Sequence, residues 1–340
     1  MEIGIASLGD LGKSSDKSVD AVHARLKQIV EMGRMADQGG LDVFSLGEHH
    51  REDYVLPAPE IALAAIAGVT ERIRLASSVT VLSSQDPVRV FEQFATLDHL
   101  SDGRAEIWAG RGAFVESFPL FGYSLDDYDA LFEEKLDLLL MIRDQERVTW
   151  RGRFRSALSG AQIHPRPLQD ALPIWIAVGG APSSAIRAGH LGLPMILGFF
   201  AGPQQFVSRV DLYRRAAEQA GHPSSSLRVA AGGHVFVGKT SQAARERFFP
   251  YYSEYFRQPG AAQGFPREAY DSWLANGLPV GSPQQVIDDI MSRVQLLGID
   301  RFSAHIDPGD MPWAMLSESL ELYMTEVAPV LRRETATVAG

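Results

Sequence analysis

The chain has 340 residues, is 45% apolar and 22% charged, and carries a formal net charge of −10. That is the profile of an ordinary globular protein; the acidic balance, with no basic patch, argues against a nucleic-acid partner. There are no cysteines, which excludes disulfides and thiolate chemistry, and no apolar run reaches the length of a membrane span: Leu193 to Ala201 is among the longest.

In chain order, Glu2 to Ser7 reads as a strand entered almost at once, leaving no room for a signal peptide, so a cytoplasmic protein is expected. Leu26, Ile29, Val30 and Gly33 mark one face of a helix that runs to about Gln38 and stops at Gly39-Gly40. Asp42 to Leu46 is a second strand, ending in Gly47-Glu48-His49-His50, and Pro59 to Val69 a helix. Ile73 to Val81, β-branched and apolar, is the next strand. After a polar loop, Asp86-Pro87 opens a helix with Asp as N-cap and Pro in the first turn. On that helix Val90, Phe94, Leu97 and Leu100 share a face, Asp102-Gly103 ends it, and Ala105 to Ala109 returns as a strand. The unit is βαβ, which implies a parallel sheet.

Leu125 to Arg143 is an amphipathic helix. Arg147 to Phe154 looks like a hairpin turning at Arg151-Gly152, and Gln162 to Leu172 is a proline-broken loop. Alternation resumes with strands at Ile174 to Val178, Pro194 to Gly198 and Leu227 to Val237, and helices at Pro182 to His190 and Pro203 to Ala220. Tyr251 to Pro279, rich in aromatics, Gly and Pro, is an excursion long enough for a lid or an interface segment. A helix at Ser282 to Leu297, a strand at Arg301 to Ile306 and a helix at Pro312 to Leu331 close the chain. Eight strands separated by helices predict one α/β domain over 1–340, a (β/α)8 barrel with insertions at about 144–172 and about 250–280.

In such a fold ligands bind at the carboxyl ends of the strands. Gly110-Arg111-Gly112 stands at one such end; Arg111 is either an anion holder or an arginine in a surface turn. His49 and His50 stand at another, as proton handlers near neutral pH or as loop residues capping backbone groups. A metal is not expected, since histidines adjacent in sequence seldom face one ion and the first strand ends in Ala6-Ser7-Leu8-Gly9 rather than His-x-His. Gly179-Gly180-Ala181-Pro182-Ser183-Ser184 joins a strand to a helix, and reads as a phosphate site or as an ordinary capped helix start. Gly9 to Ser14 looks like a nucleotide P-loop but has its first glycine too close to Gly12-Lys13, and no strand leads into Gly-x-Gly-x-x-Gly, so no dinucleotide fold is encoded.

Four stretches taken together resemble the bacterial luciferase-like flavin monooxygenases. They are LDVFSLGEHH, LASSVTVLSSQDPVRVFEQFATLDHLSDGRAEIWAGRG, PIWIAVGGAPSSAIRAGHLGLPMIL and GSPQQVIDDIMSRVQLLGIDRF. The likeness runs over nearly the whole chain and is weakest from Tyr251 to Pro279. It implies a TIM barrel that uses reduced FMN as a co-substrate with dioxygen on a small organic molecule. A flavin reductase in trans and a homodimer are implied with it. His49 falls on the histidine credited with acid/base work, Arg111 on the arginine that grips the FMN phosphate, and Ser184 on a hydroxyl of that site. Ser78-Val79 falls on a non-proline cis peptide beneath the flavin ring. Gly110, Gly179, Gly180 and Ser183 complete the cofactor site so implied.

There are departures. The luciferase alpha chain has a reactive cysteine where this chain has Gly110, and a Glu-Ser pair where it has Gly180-Ala181, which points to a non-luminous member. Three rivals stand beside this reading: a deazaflavin- or nicotinamide-linked oxidoreductase on the same barrel, a non-catalytic FMN-binding protein, and a metallohydrolase.

Overall fold

A computed structural model describes residues 1–12, 16–112, 114–198, 202–257 and 264–338. Lys13 and Ser14 of the P-loop-like stretch, the end of the apolar run at Phe199 to Ala201, and the middle of the Tyr251–Pro279 excursion lie outside the described residues.

The strands in chain order are β1 (Glu2–Ser7), β2 (Val43–Leu46), β3 (Arg74–Ser77), β4 (Thr80–Val81), β5 (Ala105–Gly110), β6 (Val148–Trp150), β7 (Leu158–Ala161), β8 (Ile174–Val178), β9 (Met195–Leu197), β10 (Val229–His234), β11 (Phe236–Val237), β12 (Val280–Gly281) and β13 (Arg301–His305). The helices are α1 (Val19–Gln38), α2 (Pro59–Ala67), α3 (Pro87–Leu100), α4 (Ser117–Leu120), α5 (Tyr128–Asp144), α6 (Pro182–His190), α7 (Val207–Gln219), α8 (Ser241–Tyr255), α9 (Arg267–Ala275), α10 (Pro283–Leu297), α11 (Trp313–Leu322) and α12 (Ala328–Val338). The large sheet is parallel and runs β3-β2-β1-β13-β10-β9-β8-β5-β4, and β3 also pairs with β5, which closes it. Because β3 and β4 are one strand interrupted at Ser78-Val79, the result is the predicted eight-stranded barrel with helices outside.

Alternation along the strands explains what faces where. On β1, Ile3 and Ile5 pack outward into the main core; on β5, Ala105, Ile107 and Ala109 do the same. Trp108 joins Val43, Ala76, Trp175, Ile196 and Ala230 in a second, smaller cluster. That is how a TIM barrel fills its own interior.

The punctuation read from the sequence works as expected. Asp86 caps α3 by accepting from the amides of Val88 and Arg89, and Pro87 sits in the first turn. Ser282 caps α10, which ends at Gly298 in the left-handed conformation. Four boundaries differ. The strand expected over Ile73–Val81 breaks at the cis Ser78-Val79 peptide, which shifts Val79 out of the ladder. The strand expected over Leu227–Val237 breaks at Val235, and its short continuation β11 leaves the barrel to pair with β12. The hairpin is wider than expected, since β6 pairs with β7 at Leu158–Ala161 rather than turning at Arg151-Gly152. Finally, the Tyr251–Pro279 excursion begins inside a helix: α8 carries Pro250 in its interior, and α9 follows. Among the described residues no helix is long and apolar enough to cross a membrane.

Candidate active site

At the carboxyl ends of the strands the barrel opens into a cavity of about 460 Å³. Of the residues singled out in the sequence, His49, Ser78, Val79, Gly110, Arg111, Gly179 and Gly180 line it. The fold thus gathers ends of β2, β4, β5 and β8 that lie more than a hundred residues apart. Ser184 sits behind Arg111, and Ser183 is exposed and outside the lining.

One end of the cavity is built for an anion. The Arg111 guanidinium donates to Ser184 Oγ at 3.0 Å, pairs with Asp129, and lies 5.2 Å from the centre of the Tyr128 ring. Asp129 is 69% exposed, so this partner sits in water and holds Arg111 only weakly. The capped-helix reading of Gly179–Ser184 does not hold: the N-cap of α6 is Ala181, with no side-chain hydrogen bond. The start of α6 therefore carries no side-chain cap: Pro182 has no amide, the Ser184 amide bonds the Ala181 carbonyl at 3.3 Å, and the helix dipole at this end favours an anion. A Cβ placed on Gly179 or Gly180 would meet nothing within 4 Å, so there is room for a ligand against that backbone.

The floor is apolar and tightly fitted. A Cβ at Gly110 would come within 2.6 Å of Val79 Cγ2 and 3.2 Å of the Ala177 methyl. Valine is stiff at χ1, so the Val79 bulge and a side chain at position 110 exclude each other. Glu48 fixes this bulge to the end of β2. Its carboxylate accepts from the Val81 amide at 2.8 Å and from Gln85 Nε2 at 3.1 Å, and bonds His50 Nε2 at 2.9 Å. His50 is thus tied down beside β2, and His49 alone of the pair lines the cavity.

His49 is walled by aromatics. Its ring stacks on Tyr54 with centroids 4.2 Å apart and meets Phe114 edge-on at 5.3 Å. Burial first, then the positive charges of His305 and Arg51, push its pKa down to about 3. It is a neutral imidazole throughout the physiological range, able to accept a proton or a hydrogen bond at one nitrogen and donate at the other.

Sequence reasoning missed several residues that belong here. Phe114 and Tyr255 line the cavity, and Asp10, His305 and Asp307 form a buried cluster whose ligand atoms lie within 4.8 Å of one another. A weak signal existed for the last group, in His305-x-Asp307 at the end of one strand and Asp10 just past the end of another. Nothing short of barrel closure shows that β1 and β13 are neighbours.

Comparison with known proteins bears on what this cavity is. The family model for luciferase-like monooxygenases matches residues 1–301. The alkanal monooxygenase alpha chain of Photorhabdus luminescens is 25% identical over 344 residues, covering 91% of this chain and 92% of its own. Among solved structures, the monooxygenase RslO1 from Streptomyces bottropensis superposes with a TM-score of 0.85 at 23% identity, covering 97% of this chain and 99% of that one. The oxygenating constituent of 3,6-diketocamphane monooxygenase from Pseudomonas putida, in complex with FMN, gives 0.77 at 22% identity over 97% and 98%. An F420-dependent secondary alcohol dehydrogenase holding an F420–acetone adduct gives 0.74 at 18% identity over 98% and 100%. With its family's model matched along most of its length and the family's barrel closed around one cavity, the chain belongs to the luciferase-like monooxygenases.

Proposed function

We propose that this chain is an FMN-dependent monooxygenase that receives reduced flavin from a separate reductase and acts with dioxygen on a small organic substrate. One observation carries the reading. A single cavity joins an anion-holding end, made of Arg111, Ser184 and the uncapped start of α6, to an apolar end floored by Val79 and flanked by a neutral His49. That polarity suits a planar ring bearing a phosphate tail. Reduced flavin, when bound, supplies the electrons that activate dioxygen.

Arg111 and the α6 amides would hold the phosphate, and Ser184 would orient Arg111. Gly179 and Gly180 leave the approach open, and Ser183 stands at its rim. Val79 and Ser78, with Gly110 beneath them, would support the ring, and His49 would take or return a proton beside it. The aromatic walls of Phe114 and Tyr54 would keep water from the reacting atoms. No strand of this sequence runs into a Gly-x-Gly-x-x-Gly turn, which supports a reductase in trans, and the diketocamphane relative is itself described as one constituent of its enzyme. A homodimer and a cytoplasmic location complete the proposal by likeness to the family.

Anaerobic stopped-flow mixing of the FMN-loaded protein with NADH and then NADPH tests it. Bleaching should be very slow with either nucleotide and become fast when an unrelated flavin reductase is added. Rapid, saturable bleaching by a nucleotide alone would make this a self-sufficient oxidoreductase. Tight binding of F420 in place of FMN would favour the hydride-transferring alternative.

A further inference from the structure

Where β1 meets β13, behind the cavity wall, lies a charge cluster that the site as described does not use. The two strands pair with Ala6 opposite His305, so the segments that leave them, carrying Asp10 and Asp307, emerge side by side. His305 Nε2 lies 3.4 Å from Asp10 Oδ2 and 3.2 Å from Asp307 Oδ1. The other Asp307 oxygen accepts from Arg25 Nη2 at 2.6 Å and from Ser7 Oγ at 2.5 Å. All five side chains are buried.

Three ligand atoms this close raise the question of a metal ion, and the charges answer it. Two carboxylates face Arg25 and His305, so with His305 protonated the cluster sums to zero. A divalent cation would have to expel that proton and would leave a buried net charge of plus one, which is costly. Burial works against the imidazolium, but the hydrogen bonds and charges of Asp10 and Asp307 outweigh it and hold His305 up to about 9. Burial raises Asp10 to about 6 against the pull of His305, whereas Arg25 and His305 overcome burial at Asp307 and keep it low. A proton on His305 Nε2 would lie between two carboxylate oxygens, 3.4 and 3.2 Å away.

It reaches the cavity through two tyrosines. Tyr255, on α8, lines the cavity and stands edge-on to His305 with centroids 5.8 Å apart. Tyr255 hydrogen-bonds Tyr54, and Tyr54 stacks on His49. Asp10 and Tyr54 are backbone bridge partners, and the Asp10 charge acts on both tyrosines. His234, on β10, packs its ring 5.0 Å from His305 and is kept neutral by burial and by that same charge. With its neutral form so strongly favoured, His49 holds no second proton in reserve at neutral pH, so what it returns must be replenished and a further proton donor for this cavity has to come from elsewhere.

We propose that Tyr255 is the proton donor of the cavity and that the Asp10–His305–Asp307 clamp is the reservoir behind it. The inference rests on the cavity being the reaction site. In the step, the Tyr255 O–H bond breaks as an O–H bond forms on an oxyanion produced there from dioxygen or the organic substrate. Tyr54 passes its proton to the Tyr255 oxygen, and the clamp restores Tyr54, its charge falling from zero to minus one until solvent refills it. No electrons move in this transfer. Burial raises both tyrosines well above their usual pKa, so the proton passes through them without leaving either ionised at rest.

Two experiments test the two halves. Nitrogen-15 NMR of the imidazoles in the cofactor-free full-length protein at pH 7.5 should show His305 carrying both ring protons, and Asp10→Asn should lower its pKa. A neutral His305, or stoichiometric transition metal in the purified protein, overturns the reservoir. For the donor, the photoreduced FMN complex is mixed with oxygenated buffer in H₂O and in D₂O. Tyr255→Phe should bind FMN within about twofold of the parent, react roughly tenfold or more slowly, and lose the solvent isotope effect. His305→Gln should slow the same reaction and flatten its alkaline pH profile. Unchanged rate and isotope effect in Tyr255→Phe overturn the donor. Failure of FMN to bind the parent would instead refute the cofactor reading, and the NMR result would still decide the clamp.

Discussion

The two ends of the barrel treat charge in opposite ways. At the amino-terminal end Arg301, fully buried, donates to Glu106 through Nη1 at 2.6 Å and Nη2 at 3.1 Å and to Glu2 at 2.7 Å. Arg74 pairs with Glu106 from the neighbouring strand β3, and the Trp108 indole donates to Glu106 at 3.3 Å. The Arg301 guanidinium also lies 4.5 Å from the Trp175 ring centre. Each of these nitrogens points at a carboxylate of the same strands. At the carboxyl end, Arg111 leans on an exposed aspartate, His49 is kept neutral, and a cavity separates them. One end spends its polar groups on holding the strands in register, and the other leaves them poised for something that arrives later.

Breaking the closed end should have the largest effect on the fold. Glu106→Gln removes the fully buried carboxylate shared by Arg301 and Arg74 and leaves Arg301 only the half-buried Glu2; breaking a buried ion pair by removing one partner costs about 3–5 kcal/mol. Urea unfolding should show that loss, with FMN affinity of the surviving native protein little changed. The acid limb has a definite sign. Burial opposes ionisation of Glu106, yet Arg301 and Arg74 bring it down to about 2. Its contribution is therefore complete above the ordinary glutamate value and lost as pH falls toward 2.

Breaking the open end should spare the fold and change function. His49→Ala should fold, bind FMN, and lose turnover by roughly 100-fold, the scale of a positioned acid/base group. Oxygen uptake with a supplied reductase measures it, and an unchanged rate would return His49 to the status of a loop residue. Arg111→Ala should weaken FMN by about 1.5–3 kcal/mol, the range for a hydrogen bond to a charged group, with stability altered by no more than ~0.5 kcal/mol.

The clamp behind the open end gives the most specific effect, on the alkaline side. His305 is raised on folding from the ordinary histidine value of 6.5 to about 9. Stability from that proton is fully present below pH 6.5, declines as pH rises, and is gone above about 9. Urea midpoints measured across that window should fall in the parent and stay level in His305→Gln.

How much of this was legible beforehand follows from range in sequence. The barrel was, because each strand and helix announces itself locally: Asp86-Pro87 opens α3, Ser282-Pro283 opens α10, and the buried strands are short apolar runs. His49 and Arg111 were, because each stands where a recognisable strand stops. Tyr255 was not, because Pro250 in the middle of α8 reads as a break, although Ala244, Phe248, Tyr252 and Tyr255 keep helical spacing and are all buried. The Asp10–His305–Asp307 clamp was not, because its members are separated by nearly the whole chain and meet only when β1 and β13 pair. Ser183 was assigned to the cofactor site from its place in a motif. The structure leaves it exposed, while Ser184, assigned to the same site, is buried and bonded to Arg111.

Whether the anion-holding end grips a flavin phosphate can be measured directly. Fluorescence titrations of the parent and of Arg111→Ala with FMN and with riboflavin, which lacks the phosphate, isolate that one group. The parent should bind FMN at least tenfold more tightly than riboflavin, and the substitution should close that gap by weakening FMN while leaving riboflavin nearly unchanged. Equal affinity of the parent for the two flavins would contradict the assignment of Arg111, Ser184 and the start of α6 to a phosphate.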